Sequence, residues 1–575
     1  MFSQIANALL VGLCAVPLAS AHPLDSTTPV VSTIAGPVQG FVEESTGHHV
    51  FLGIRYAEST DGDNRWRPPQ PLEHHASIYN ASHFAPACPQ FPPPATNPYG
   101  ISEDCLSVNV WAPAQAKKLP VLIYNYGGAM VQGTNADPTY NGSAFASSGF
   151  VYVSLQHRSG LMGFPYGKIF NGTSQNFGIL DAFEAVHWVE KNIHDITAFG
   201  GDPEHITFMG QSSGGVMVDH YLWNHPKTKI KAAIIQSADV FSGPGYAPEQ
   251  VGFDVLAGEM NCPADDLSAQ LSCLRNVTID RIFTANFSDQ ETWFVPVIDE
   301  YTRFSDYETR FKAGRYPKHV PVLTGSANNE ETLFGLVVYP PSQTTPFSHW
   351  INTFNADAAH IPDDLLLSHY PDKDFPSSAL QSGKLYANLR FFCAIDYLID
   401  LRAELGNHYR YRFMGNYSSQ TGYPAFGACH GCELPYIFKT YNRTLATGIQ
   451  PELSNKLHKI WADFAKNPSE GPGWNATTAH DGPMALFGSS DAPLDTVIVQ
   501  SSEYNGICQN VRASTQGLVK SGTDLSPVPQ LLAAVLSQAD RPKESWSLLI
   551  IDHFVQKSKS ISSAVRQVCT ARHAG

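Results

Sequence analysis

Charge is scarce in this sequence, and basic charge scarcest. Asp, Glu, Lys and Arg make up 15% of 575 residues, with 37 Lys and Arg against 52 Asp and Glu, a net charge of −15. A nucleic-acid partner is thereby excluded, because phosphate binding needs a basic footprint. Long apolar runs are also lacking beyond the first 21 residues, so no segment there approaches the roughly 18 residues that span a bilayer. Paired C-x-x-C units, the mark of a cysteine zinc site, are missing. The single such spacing is Cys429–Cys432, and no metal or cofactor is expected. There is no internal repeat and no low-complexity tract. The 43% apolar fraction suffices for a large core and excludes disorder along the whole chain.

What is present begins with a leader. Residues 1–21 run through an apolar stretch from Ile5 to Leu18 and end in Ala19-Ser20-Ala21 before His22. That pattern reads as a cleaved signal peptide and predicts a secreted, extracellular protein. Cys14 leaves with it, and nine cysteines remain. Two close pairs, Cys88 with Cys105 and Cys262 with Cys273, read as loop-closing disulfides in an oxidising compartment. Nine is odd, so at least one thiol stays free or pairs outside the chain. Sequons at Asn80, Asn141, Asn171, Asn276, Asn286, Asn416, Asn442 and Asn475 predict a glycosylated surface behind such a leader.

Short apolar runs at 120–124, 150–155, 205–209, 234–236 and 321–324 have the composition of strands buried on both faces. Between Asp181 and Ile193, Ala182, Ala185, Val186 and Val189 recur at helical spacing. Strands alternating with helices predict an α/β sheet, preceded by antiparallel strands within residues 29–56. Residues 22–510 read as one domain, and 511–575 as a tail that matches no assignable element.

Three separated motifs carry chemistry. Gly210-Gln211-Ser212-Ser213-Gly214-Gly215 contains a G-x-S-x-G directly after the 205–209 strand. A nucleophile elbow needs that strand–turn–helix context to lift the serine above the sheet edge. Tyr126-Gly127-Gly128-Ala129-Met130 follows another strand and can turn backbone N–H groups toward a developing oxyanion. His430, in Ala428-Cys429-His430-Gly431-Cys432-Glu433, stands where the order serine, acid, histidine would place the base. The acid must then lie between them near a strand end; Glu330 fits, six residues after Thr324 closes the 321–324 strand, with Glu331 and Asp299 as competitors.

These residues, taken together, resemble the type-B carboxylesterase and cholinesterase family of α/β-hydrolases. Phe51-Leu52-Gly53-Ile54-Arg55-Tyr56-Ala57 is similar to the family's F-x-G-I-P-Y-A, with Arg55 replacing proline, and Glu103 to Val110 resembles its E-D-C-L-x-L-N-V. Asn176 to Asp181, Phe199 to Pro203, and Gly325 to Glu330 with Phe334 continue the likeness. The resemblance implies an α/β-hydrolase fold: a large, mostly parallel central sheet flanked by helices, with a small N-terminal antiparallel sheet. It implies Ser212 as nucleophile, His430 as general base and Glu330 as the orienting acid. The N–H groups of Gly128, Ala129 and Ser213 would form the oxyanion hole. It also implies pairing of Cys88 with Cys105, Cys262 with Cys273 and Cys393 with Cys508, and a structural ion pair of Arg65 with Glu103. The family's usual glutamate, alanine and third glycine are here Gln211, Ser213 and Ala129. The added Cβ of Ala129 narrows the pocket and demands a backbone angle that alanine disfavours.

The expectation is a secreted carboxylic ester hydrolase acting through an acyl-serine on a small-molecule substrate. Acyl transfer or lactone formation on the same triad, and a catalytically silent recognition protein, are the alternatives. Only 16 residues, from Pro89 to Asp104, lie between Cys88 and Cys105, five of them proline and none tryptophan. A segment so short and stiff makes no lipid-opened lid and offers no cation–π platform for a quaternary ammonium group. Soluble short-acyl or aromatic esters are therefore expected.

Overall fold

The apolar runs of the sequence lie side by side because each is wanted on both faces. In the computed structural model, which describes residues 28–508 apart from 92, 196–198, 241–251, 286–293, 336–346, 348–362, 418, 420–425, 479–480 and 506–507, they form the centre of an eleven-stranded sheet. The leader, the 511–575 tail, Cys569 and Asn286 lie outside the described residues. Along the strand Leu119–Asn125, Val121 and Ile123 enter one core while Leu122 and Tyr124 enter another. The helices Phe177–Asn192 and Ser213–Asn224 close the first face. The helix Gln450–Lys466 closes the second with Leu453, Leu457, Trp461 and Phe464. Two-sided burial is what makes these strands continuously apolar, and it defines a layered α/β architecture.

The strands Pro483–Phe487, His408–Phe413, Val322–Ala327, Ala232–Gln236, Gly201–Gln211, Leu119–Asn125 and Val151–Leu155 run parallel in that spatial order. Antiparallel strands extend both edges: Val497–Gln500 on one side, and Ser107–Ala112, His49–Arg55 and Phe41–Val42 on the other. The small N-terminal sheet pairs Val30–Thr33 with Gly36–Gln39 antiparallel and adds Tyr79–Asn80 in parallel.

The strand Leu119–Asn125 sits between Val151–Leu155, which follows it, and Gly201–Gln211, which comes later still. Strand order reverses there, the point at which open α/β sheets bind ligands beyond the carboxyl ends of the flanking strands. Both glycine motifs emerge at that point.

Buried polar pairs hold the connecting loops. Arg65 makes a bidentate ion pair with Glu103 at 2.6 Å and also donates to the Leu274 and Val277 carbonyls. Disulfides join Cys88 to Cys105, Cys262 to Cys273, Cys393 to Cys508 and Cys429 to Cys432. Among the sequons, Asn80, Asn171, Asn276, Asn416, Asn442 and Asn475 are exposed and Asn141 is half-buried. No helix among the described residues is long and apolar enough to cross a membrane.

Candidate active site

Ser212 turns the chain between the strand Gly201–Gln211 and the helix Ser213–Asn224, at φ 54° and ψ −131°. A non-glycine residue at this angle is held against its preference by its surroundings. Its N–H donates to the Gln236 carbonyl of the neighbouring strand at 2.8 Å. Ser213 begins the helix and is buried, so its N–H belongs to the unpaired first turn.

The glycine motif comes close from the adjacent strand. A Cβ on Gly127 would sit 2.7 Å from the Ser212 Cβ and 2.8 Å from the Gln211 side-chain oxygen. Only glycine allows this approach. Gly128 turns the chain back by accepting from the Val131 and Gln132 N–H groups, each at 3.1 Å. Ala129 and Met130 then adopt φ of 56° and 65°, so the alanine does occupy the left-handed region.

Glu330 begins a short helix three residues beyond the strand Val322–Ala327 and is fully buried. Its Oε2 pairs with Nδ1 of His430, whose side chain is 8% exposed. Its Oε1 accepts from the Ser237 hydroxyl at 2.7 Å and the Ala327 N–H at 2.8 Å. The other two candidate acids are engaged elsewhere. Glu331 faces Lys384 at 3.4 Å, and Asp299 accepts from Ser174, Asn176 and Thr302.

With Nδ1 donating to the carboxylate, Nε2 of His430 is the acceptor, and the Gln211 amide donates to it at 3.1 Å. Phe334 and Phe391 pack on the imidazole, with ring centroids 5.2 and 5.0 Å away. Phe391 belongs to a π-helical turn, Asn388–Phe392, between two α-helices, a distortion common where a side chain must be re-aimed. Ser212, Glu330, His430 and the 127–130 turn thus gather beyond the carboxyl ends of adjacent strands.

Ser237 and Glu433 were not evident as sequence candidates. Ser237 directly follows the strand Ala232–Gln236, and that position at the same sheet end is the one local signal. Glu433 is buried, accepting from the Gln236 amide at 3.1 Å and the Tyr411 hydroxyl at 3.5 Å. Burial, reinforced by the nearby Glu330 carboxylate, pushes its carboxyl up to about 7.

The fold and this strand–elbow–helix site define an α/β-hydrolase. The Carboxylesterase family model matches residues 27–499, and the chain belongs to that family. It is 31% identical to the fumonisin B1 esterase of Sphingopyxis macrogoltabida, over 80% of this chain and 86% of that protein. It is 28% identical to the chlorogenic acid esterase of Aspergillus niger, over 77% and 83%. The solved structure of a PNB esterase matches with a TM-score of 0.68 at 26% identity, over 84% of this chain and 99% of that one. The protein is a carboxylesterase.

Proposed function

We propose that the protein is a secreted glycoprotein esterase that cleaves soluble short-acyl or aromatic esters through a Ser212–His430–Glu330 triad. The observation that carries this reading is the buried Glu330 carboxylate on Nδ1 of His430, with Ser212 held at φ 54° one residue from the Gln211 amide on Nε2. His430 Nε2 takes the Ser212 proton as Oγ attacks the ester carbonyl. The N–H groups of Gly128, Ala129 and Ser213 stabilise the tetrahedral oxyanion, and His430 returns the proton to the leaving alcohol. Water then attacks the acyl-serine with His430 again as base. Glu330 stabilises the imidazolium that forms in both halves.

The substrate class rests on the rim. The loop closed by Cys88 and Cys105 is fastened to the segment following the glycine turn: Gln90 donates to the Gly133 carbonyl at 2.9 Å and accepts its N–H at 2.7 Å. Asn97 donates to the Ala85 carbonyl at 3.0 Å and to the Thr134 hydroxyl at 3.2 Å. A loop fixed in this way does not serve as a flap that opens on a lipid surface.

Rates on a short-chain ester series, measured through the solubility limit and with Ser212→Ala in parallel, test the reading. Saturation without a jump at that limit, a pre-steady-state burst, and loss of both in Ser212→Ala are expected. A several-fold rise at the emulsion boundary, or a choline ester preferred over its neutral isostere, would overturn the substrate class. Hydrolysis surviving in Ser212→Ala would overturn the mechanism.

A further inference from the structure

The C-x-x-C that brackets the histidine has no part in the chemistry above, yet its geometry bears on it. Cys429 and Cys432 are joined, with Cα atoms 5.3 Å apart. The Cys432 N–H donates to the Cys429 carbonyl at 3.0 Å, which makes residues 429–432 a β-turn with His430 at its second position. Gly431 takes the third at φ 76°, the left-handed angle that a type II turn requires there. The bridge therefore ties together the two ends of a turn whose only interior residues are His430 and Gly431.

The chain entering this turn is fixed at a few points: the Thr332 hydroxyl donates to the Phe426 carbonyl at 2.7 Å, and the Cys429 N–H donates to the Gly427 carbonyl at 2.9 Å. Gly427, two residues before Cys429, is itself left-handed at φ 63°. One anchor ties the turn to the acid loop: the Asn329 N–H donates to the Ala428 carbonyl at 2.9 Å, and the Ala428 N–H donates to the Asn329 side chain at 3.1 Å. Asn329 precedes Glu330 directly, so the bridged turn and the acid share one frame. Both cysteines are 3% exposed, in the core beneath the sheet that also holds Tyr124, Tyr411 and Trp461.

General stabilisation is a poor account of this bridge. Cross-link stabilisation of a fold grows with the length of loop closed. The four bridges span sequence separations of 115, 17, 11 and, here, 3. The shortest does least for the unfolded chain and most for the local backbone it encloses.

We propose that the Cys429–Cys432 disulfide is a positioning element for His430: it locks the turn from which the imidazole projects, so that Nδ1 stays on Glu330 while Nε2 stays at the elbow, beside the Gln211 amide. This rests on His430 being the general base. Without the bridge, a turn built on Gly431 and entered through the left-handed Gly427 wanders, and the imidazole spends less time in the geometry both transfer steps need. Misplacement of a reacting group by about 1 Å can cost roughly 10²-fold.

The test compares wild type with two bridge-less full-length variants, Cys429→Ser/Cys432→Ser and the apolar Cys429→Ala/Cys432→Val. The readouts are kcat, KM, fluorophosphonate labelling rate and Tm, with His430→Ala in parallel. The expected pattern is kcat and labelling lowered about tenfold or more, KM within about twofold, and Tm within about 3 °C. A kcat within twofold of wild type in either folded variant would overturn the proposal. So would failure of both to fold, which would make the bridge a general staple. If His430→Ala hydrolyses as fast as wild type, the reading of His430 as base falls with it; if His430→Ala is inactive while the bridge-less enzymes are not, only the role of the bridge falls.

Discussion

One oxygen of the Glu330 carboxylate pairs with Nδ1 of His430, and the other is held by the Ser237 hydroxyl and the Ala327 N–H. The acid is thus oriented from the side away from the histidine, and its burial leaves no water to replace either partner. This division of the two oxygens sets the first predictions.

Glu330→Gln retains the shape but loses the charge that favours the correct tautomer and stabilises the imidazolium. Its kcat is expected to fall roughly 10³–10⁴-fold, by analogy with the corresponding change in a serine protease triad, with the far-UV spectrum unchanged. Glu331→Gln, which loses the charge facing Lys384 but can still accept from the Asn329 amide, stays within about twofold of wild type. Steady-state kinetics of the pair decide the assignment; the reverse pattern would contradict it.

Ser237→Ala removes one donor to a buried carboxylate. A hydrogen bond to a charged group contributes about 1.5–3 kcal/mol, so kcat falls about tenfold or more while KM holds. Should Ser237→Ala match wild type in kcat, the Ala327 N–H alone orients the acid.

Gln211→Glu places a negative charge beside Nε2 of His430, where the amide now sits at 3.1 Å. A neighbouring opposite charge favours the protonated imidazole, so the acid limb of the kcat/KM profile moves to higher pH. An unmoved limb would mean that the Gln211 contact is lost once substrate binds.

Much of this was legible in the sequence. The strands flanking the site are continuous apolar runs because both faces are buried, and that composition is visible without a structure. The elbow and glycine turn follow such runs directly, so their place at the sheet end was legible as well. The acid was less so: position after the 321–324 strand pointed to Glu330, but Glu331 and Asp299 stayed in competition until family likeness favoured the first. What separates them is long-range: Asp299 is held from residues 174–176, Glu331 faces Lys384, and Glu330 meets Ser237 and His430. The helix Gln450–Lys466 was legible yet unread: Leu453, Leu457, Trp461 and Phe464 recur at helical spacing opposite a polar face. Glu433 is polar in sequence and buried by elements that arrive from residues 236 and 411, which no local pattern encodes.

Glu433 makes stability depend on pH. Its folded value, about 7, lies above the ordinary 4.5, so the folded protein holds this proton more tightly than the unfolded chain. The stability it contributes is complete below about 4.5 and is lost as pH rises toward 7. Glu433→Gln, neutral throughout, should therefore gain in Tm relative to wild type on going from pH 5 to pH 8, at about the same ionic strength. Thermal melts at the two pH values check this; a difference constant across them would place the titration elsewhere.

Ala129→Gly should relieve the left-handed strain at φ 56°, which costs a non-glycine residue about 1 kcal/mol. The variant is expected to melt slightly higher and to accept bulkier acyl groups relative to acetyl. Paired melts and an acyl series measure both; a lower Tm with unchanged acyl preference would mean that the alanine methyl packs favourably.

Whether Ser212 is an activated nucleophile is decided by mass-spectrometric mapping of fluorophosphonate-labelled protein. Only a serine with a positioned base attacks phosphorus quickly. A single labelled peptide carrying the adduct on Ser212 is expected, with labelling lost in Ser212→Ala and slowed in Glu330→Gln. An unlabelled wild type, or an adduct on another serine that persists in Ser212→Ala, would contradict it.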